Sequence, residues 1–207
     1  MDWRKEYAEK IVSVEEAVSH VQSGNRIVFT HACGEAQALT DELVRQADRL
    51  ENVEIVHMVA MGKAPYCQPG MEKHFRHNAL FVGGSTRKAV EEGRGDYTPC
   101  FFHEIPKLFT DGTLPVDVAF LQLSEPDENG ICSYGVSVDY TQPAAEAAKL
   151  VIAQINKNMP YTYGNGINLK DIDYIVEKDE PLIELQPPKI GETEHKIGEY
   201  VASLIHD

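Results

Sequence analysis

Residues 116–141 read VDVAFLQLSEPDENGICSYGVSVDYT. The first eight, Val116–Leu123, form a nearly unbroken apolar run, the pattern of a strand buried on both faces. Asp127-Glu128-Asn129-Gly130 then break it with a strong turn signal, and Asp127 and Asn129 can close Asx-turns without any ligand. The segment after the turn is small and hydroxyl-rich. Gly135–Asp139, GVSVD, lacks the second Gly of a G-x-S-x-G elbow, so the segment offers no nucleophile of that kind.

Outward from this stretch the same strand–turn–helix alternation recurs. Val14, Ala17, Val18 and Val21 have helical spacing, with Ser13 as N-cap, Glu16 at the capping-box position and Ser23-Gly24 as the stop. RIVFTH (Arg26–His31) is a strand, followed by the small-residue turn ACGEAQAL and a helix through about Leu50. VEIVHMVAMG (Val53–Gly62) and ALFVGG (Ala79–Gly84) read as strands, the second leading into STRKAVEEG, a helix capped by Ser85 or Thr86. Pro143–Leu150 is a short Ala-rich helix, KLVIAQI (Lys149–Ile155) a strand, and IDYIV (Ile172–Val176) a last short one. Continuous Val/Ile/Leu strands alternating with helices predict an α/β fold: an open, mainly parallel sheet with helices on both faces. Apolar residues at Ile197, Tyr200, Val201, Leu204 and Ile205 outline a final amphipathic helix, after which the chain stops at His206-Asp207 without a closing element.

The whole of residues 1–207 reads as one α/β domain. No apolar run approaches the ~18 residues that a membrane span needs, and the N-terminus MDWRKEYAEK has no secretory h-region, so a cytoplasmic protein is expected. Cys33, Cys67, Cys100 and Cys132 form no C-x-x-C pair and read as reduced thiols. His103-Glu104 has no second His at helical distance, and no metal is expected. A net charge of −14 disfavours nucleic acid and anionic lipid as partners. It leaves room for a small phosphorylated ligand held by local donors. Nine acids against Lys178, Lys189 and Lys196 between Asp171 and Glu199 read as solvated surface.

In open α/β sheets ligands bind beyond the carboxyl ends of the strands. Three loops qualify there; the turn at Asp127–Gly130 reads as structure, and two others carry candidate chemistry. In His31–Ala38 a strand enters a helix through small residues, and the exposed N–H groups of the helix start suit an anion or an oxyanion; a plain tight turn explains the same residues. In Gly83–Arg87, two glycines, the Ser85 and Thr86 hydroxyls and the Arg87 cation suit a phosphate or carboxylate; an ordinary N-cap with a solvated Arg is the alternative. Neither a Walker loop nor a dinucleotide fingerprint is present. Glu35 and Glu104 are acids in or near loops, and a carboxylate becomes a nucleophile only where its surroundings tune it.

Taken in order, several segments resemble the acetyl-CoA hydrolase/transferase family, and within it most closely the 4-hydroxybutyrate CoA-transferases. They are MDW, the loop at His31–Gln37, HMVAMGK (His57–Lys63), STR (Ser85–Arg87), EGRGDYTPCFFHEIP (Glu92–Pro106) and PKIGETEHKIGEYVASLIHD. The opening stretch is similar to the family's Ser-Pro-x-Asp-x-x-Gly-x-x-Ser-x-Gly signature, with Glu125 in the place of Pro. The resemblance implies a two-domain enzyme whose glutamate nucleophile and Gly-rich CoA loop lie in a second domain. This chain then corresponds to the first domain and holds no catalytic residue of its own. Gly34, Glu35, Ala36 and Gln37 match the small-residue loop facing the active site, with Glu-Ala-Gln where relatives have Ala-Glu-Pro. Ser85, Thr86 and Arg87 join them as substrate contacts on the anion argument alone. The implied partners are an acyl-CoA, a short carboxylic acid and the C-terminal catalytic domain, in a homodimer. Coenzyme A is substrate, not a bound cofactor. An acyl-CoA hydrolase of the same family and a non-catalytic acyl-CoA or anion-binding module are the alternatives.

Overall fold

The computed structural model describes residues 2–205; Met1 and the chain end at His206-Asp207 lie outside the described residues. Seven strands make one sheet: β1 (Arg26–Phe29), β2 (Val53–His57), β3 (Phe75–Ala79), β4 (Gly95–Tyr97), β5 (Val118–Leu123), β7 (Leu150–Ile155) and β9 (Tyr174–Glu177). β6 (Ile131–Ser133) and β8 (Gly166–Asn168) form a separate antiparallel pair. The order in the large sheet is β4-β3-β2-β1-β5-β7-β9, and every neighbouring pair in it is parallel.

Strand residues alternate between two cores, as a period of two demands. Ile27, Phe29, Val53, Ile55, Val118 and Phe120 face one side, where α2 (Val14–Ser19) and α3 (Gln37–Arg45) cover them with Ala17, Val18, Leu39 and Leu43. Val28 and Val56 face the other, against Ile105 and Phe109 of α5 (Ile105–Thr110) and Ala144 of α6 (Thr141–Ala147). Ala119, Leu121, Val151 and Ala153 lie on that second side too, with Trp3 of α1 (Trp3–Glu6). The expected open parallel sheet with helices on both faces is what forms. Ser13 caps α2 as its position predicts, its Oγ accepting the Glu16 N–H at 3.1 Å.

Two expectations are corrected. The third strand is not Ala79–Gly84 but the polar FRHNA of residues 75–79. Two of its polar side chains are satisfied sideways, Arg76 pairing with Asp96 of β4 and Asn78 donating to Glu54 of β2 at 2.7 Å, whereas the buried His77 ring finds no side-chain partner. Leu80 and Phe81 belong to the loop beyond it, Leu80 buried and Phe81 exposed. Neither Ser85 nor Thr86 caps α4 (Arg87–Glu91) through its side chain. The polar turn after β5 is confirmed: Asp127 Oδ1 accepts the N–H groups of Asn129 and Ile131 at 2.8 and 2.9 Å. The final helix, α7 (Glu192–Ala202), forms with its apolar residues exposed. No helix of the described residues is long and apolar enough to cross a membrane.

Phe120 of β5 stacks on Phe29 of β1 with ring centroids 5.4 Å apart, both rings almost fully buried. Phe120→Ala should therefore lower the unfolding free energy by ~3–5 kcal/mol, read from urea melts at unchanged m-value.

Candidate functional site

The sheet order reverses direction between β1 and β5, whose carboxyl ends lie side by side. The chain leaves β1 towards α3 on one face and β5 towards α6 on the other, which opens a crevice at the switch point. Two loops meet there. The His31 N–H donates to Ser137 Oγ at 2.9 Å, and His31 Nδ1 stands 2.6 Å from Asp139 Oδ2. Ser137 Oγ also shares a hydrogen bond with Thr141 Oγ1. Gly34 has to be glycine here, because a Cβ would stand 2.6 Å from the Ser137 Cβ. The imidazole lies between Phe102 and Tyr140, held by Asp139 in one orientation.

Beneath this rim is a buried polar layer. The Tyr140 hydroxyl donates to Phe29 O at 2.8 Å and accepts the Met58 N–H. His57, driven to about 3 by burial and hence neutral, donates from Nε2 to Thr30 O at 2.8 Å. From β5, Gln122 Nε2 donates to the carbonyls of Glu35 and Gly34; just beyond β7, Asn156 Nδ2 donates to Gln122 Oε1 at 2.6 Å. Such buried amides are stabilising only when satisfied, and here they pin the loop after β1 from below. Ala32 and Ala64, in the loops after β1 and β2, sit at φ 52° and 45°. Each costs on the order of 1 kcal/mol, a strain the surrounding contacts hold in place.

Three of the expected residues, Gly34, Glu35 and Ala36, are buried, and Gln37 begins α3. Glu35 does not face solvent: it is 1 % exposed, and its Oε2 accepts the Gly62 N–H at 3.2 Å. An acid so placed is no free nucleophile. The helix start read as an anion site holds the chain's own carboxylate, because Glu180 Oε1 accepts the Ala38 N–H and a Gln154 Nε2 hydrogen bond. Beside it lies a cleft of about 540 Å³ lined by Gln37, Gly62, Lys63, Glu180, Leu182 and Ile183 among others. Ser85, Thr86 and Arg87 sit on the neighbouring rim beyond β3, where Thr86 is buried with its hydroxyl unpartnered and Ser85 and Arg87 are exposed. Nothing among the described residues hydrogen-bonds the two groups together. Arg4, Arg26, Arg45, Arg76 and Arg94 pair with carboxylates, and Arg49 donates to backbone carbonyls. Arg87 thus keeps the one uncommitted guanidinium among the described residues. No three His, Cys, Asp or Glu side chains among the described residues stand together as a metal set, and all four cysteines are free thiols.

Sequence reasoning missed His31 with Asp139, and the amides Gln122, Gln154 and Asn156. A signal for the amides was there. Gln122 and Gln154 interrupt two apolar strands at the same register, and a polar pair at matched positions of buried strands marks an internal hydrogen-bonded network, here with Gln154 Oε1 left unpartnered.

Burial raises the Glu35 carboxyl from 4.5 to about 7, against the opposing pull of the Gly62 and Thr40 hydrogen bonds. The folded state then binds a proton that the unfolded state has released, so stability falls as pH rises from about 4.5 and levels off above 7. That difference corresponds to ~3 kcal/mol. Glu35→Gln should gain about that much stability relative to the parent chain between pH 4.5 and 8, measured by urea melts across the series.

The family model described as the acetyl-CoA hydrolase/transferase N-terminal domain matches residues 1–186. A 4-hydroxybutyrate coenzyme A transferase of Clostridium kluyveri is 60% identical over 208 residues, covering 100% of this chain and 48% of that protein. Among solved structures, a 4-hydroxybutyrate CoA-transferase from Porphyromonas gingivalis superposes with a TM-score of 0.81 at 37% identity, over 100% of this chain and 48% of the other. RipA from Yersinia pestis superposes with a TM-score of 0.91 at 27% identity, over 100% of this chain and 51% of RipA. The chain spans about half the length of the curated relatives it matches. With the parallel sheet, the switch-point crevice and the family model all covering the same residues, the chain belongs to the acetyl-CoA hydrolase/transferase family.

Proposed function

We propose that this chain is the N-terminal half, a single α/β domain, of a cytoplasmic CoA-transferase. The enzyme moves CoA between a short acyl-CoA, of the 4-hydroxybutyryl or butyryl kind, and a carboxylate such as acetate. One observation carries the reading: the loops after β1 and β5 build a rigid, strained rim with an adjoining cleft at the switch point, and the one glutamate of the rim loop, Glu35, is buried against Gly62 and turned away from the cleft. The half in hand is thus a wall of a site whose reacting glutamate comes from the second half.

On that reading the glutamate attacks the thioester carbonyl and expels CoA thiolate, leaving an acyl-glutamyl anhydride. The thiolate then attacks the glutamyl carbonyl, giving a glutamyl-CoA thioester and releasing the first acid. The incoming carboxylate repeats the two steps in reverse order. Splitting the exchange keeps each step near-isoenergetic and the anhydrides enzyme-bound. Gln37 lines the acyl end of the cleft with Gly34, Glu35 and Ala36 buried behind it, while Ser85 and Arg87 face the CoA phosphates with Thr86 buried beneath them. Coenzyme A is a substrate throughout, nothing is held covalently by this half, and the complete subunits pair as a homodimer.

Incubating the chain with butyryl-CoA and labelled acetate tests the reading by mass spectrometry of acetyl-CoA. The chain alone should give no label, and adding the second half of the Clostridium kluyveri relative as a separate polypeptide should give it. Free CoA without label would reassign the pair to hydrolysis. Label from the chain alone would place the nucleophile in this half and overturn the mechanism. Arg87→Ala should weaken butyryl-CoA binding on the order of fivefold at low salt, an effect that fades above ~0.15 M as the ionic contact is screened.

A further inference from the structure

The carboxyl group of Glu35 touches no solvent, yet it sits between the two loops that shape the cleft. The loop after β1 is joined to the loop after β2 by the Ala32 N–H to Val59 O hydrogen bond at 3.1 Å, which extends the β1–β2 pairing to an Ala32–Ala60 bridge. Beyond that bridge the strands no longer hold the loops together. Glu35 takes over, its Oε2 accepting the Gly62 N–H. The fit leaves no room. A Cβ on Gly62 would stand 2.7 Å from Glu35 Oε2 and 2.9 Å from its Cδ and Oε1. The Glu35 backbone is itself fixed from β5 through its carbonyl by Gln122.

We propose that Glu35 is a positioning residue, whose buried carboxyl group locks the Gly62–Lys63 turn onto the loop after β1 and so sets where the Lys63 ammonium stands on the cleft. Lys63 makes no ion pair and no side-chain hydrogen bond among the described residues, so the turn alone aims it. Lys63 is the cation among the residues lining the cleft, beside the carboxylates of Asp41 and Glu180, and is the element there that would meet an anionic group of the ligand. This use of the lock rests on the cleft being the acyl-CoA site. The lock itself does not.

The ionisable groups around the carboxyl are Asp41 from α3, Tyr66 and Cys67 from the turn after β2, and Tyr140 ahead of α6. Burial holds Tyr66 and Tyr140 neutral and pushes Cys67 up to about 12. None of these three changes charge near neutrality. The lock is therefore made by a carboxyl that is partly protonated at neutral pH and becomes a buried, under-solvated anion above it.

Amide hydrogen exchange on the 207-residue chain and four variants tests the lock, with butyryl-CoA titration as a separate readout. Gly62→Ala should lower the protection factors of Gly62–Ala64 at least tenfold while leaving Val28 and Val56 unchanged. In a Glu35→Ala background the same added methyl should cost nothing further or restore protection, because it fills the space the carboxyl left. Glu35→Gln should keep the protection of the parent chain, and should abolish its change through about pH 7. Additive effects of the two substitutions overturn the proposal, as does unchanged Gly62 protection in Glu35→Ala. If Glu35→Ala does not fold, a Gln variant whose Gly62 protection keeps the parent's pH profile overturns it just as firmly. Butyryl-CoA binding that is absent in the parent chain removes the cleft reading but leaves the exchange result to judge the lock. Binding retained by the parent and Gln chains, and weakened alike by Glu35→Ala and Lys63→Ala, is the expected outcome.

Discussion

The rest of this structure depends on β1 and β5 lying parallel and buried on both faces while their chains exit to opposite sides of the sheet. A parallel pair so enclosed has no solvent at its carboxyl end to satisfy the next backbone groups, so side chains must do it. Gln122 takes the Gly34 and Glu35 carbonyls, His57 the Thr30 carbonyl, Tyr140 the Phe29 carbonyl, and Ser137 the His31 N–H. These groups come from β5, β2 and the segment before α6. Each loop at the crevice is thereby fixed by an element distant in sequence, and the crevice is rigid because it is the place where the sheet's unfinished hydrogen bonds are completed.

That dependence explains what could be read from the sequence and what could not. β5 and β7 were legible because VDVAFLQL and KLVIAQI are apolar on both faces, a signal that needs no tertiary information. β3 was not, because its stability is lateral: Arg76, His77 and Asn78 look like loop residues until Asp96 and Glu54 are known to flank them. ALFVGG looked like the strand for the same reason in reverse, since apolarity there serves a buried loop residue. At the site, small residues after β1 marked the loop from His31, and the family resemblance marked the hydroxyl-rich segment near Ser137. Their meeting at Gly34 and Ser137 is set by strand order, which no local pattern encodes. Glu35 shows the limit most clearly, because a glutamate in a polar-looking loop reads as solvated or reactive, whereas the fold turns it inward beneath Gly62.

Burying that acid is destabilising in isolation, and so are the left-handed Ala32 and Ala64. A chain selected for stability alone would place an apolar residue at position 35 and glycines at 32 and 64. All three departures fall in the same pair of loops, while the cores under α2, α3, α5 and α6 follow the ordinary rules of periodicity and packing. Three local rules broken together in one pair of loops mark a place where geometry matters more than stability.

The charge distribution sharpens the point. With 33 acids against 19 Lys and Arg, the chain can neutralise its arginines almost anywhere, and it does so at Arg4, Arg26, Arg45, Arg76 and Arg94. Arg87, at the start of α4 beyond β3, is the arginine left without a carboxylate partner among the described residues, and Lys63, in the loop after β2, is one of several lysines without one. At distances shorter than the ~8 Å screening length such a cation acts on a ligand without regard to the net negative field. A strongly acidic domain can therefore present single cations to an anionic substrate, provided that the loops bearing them are held still by buried contacts of the kind Glu35 makes.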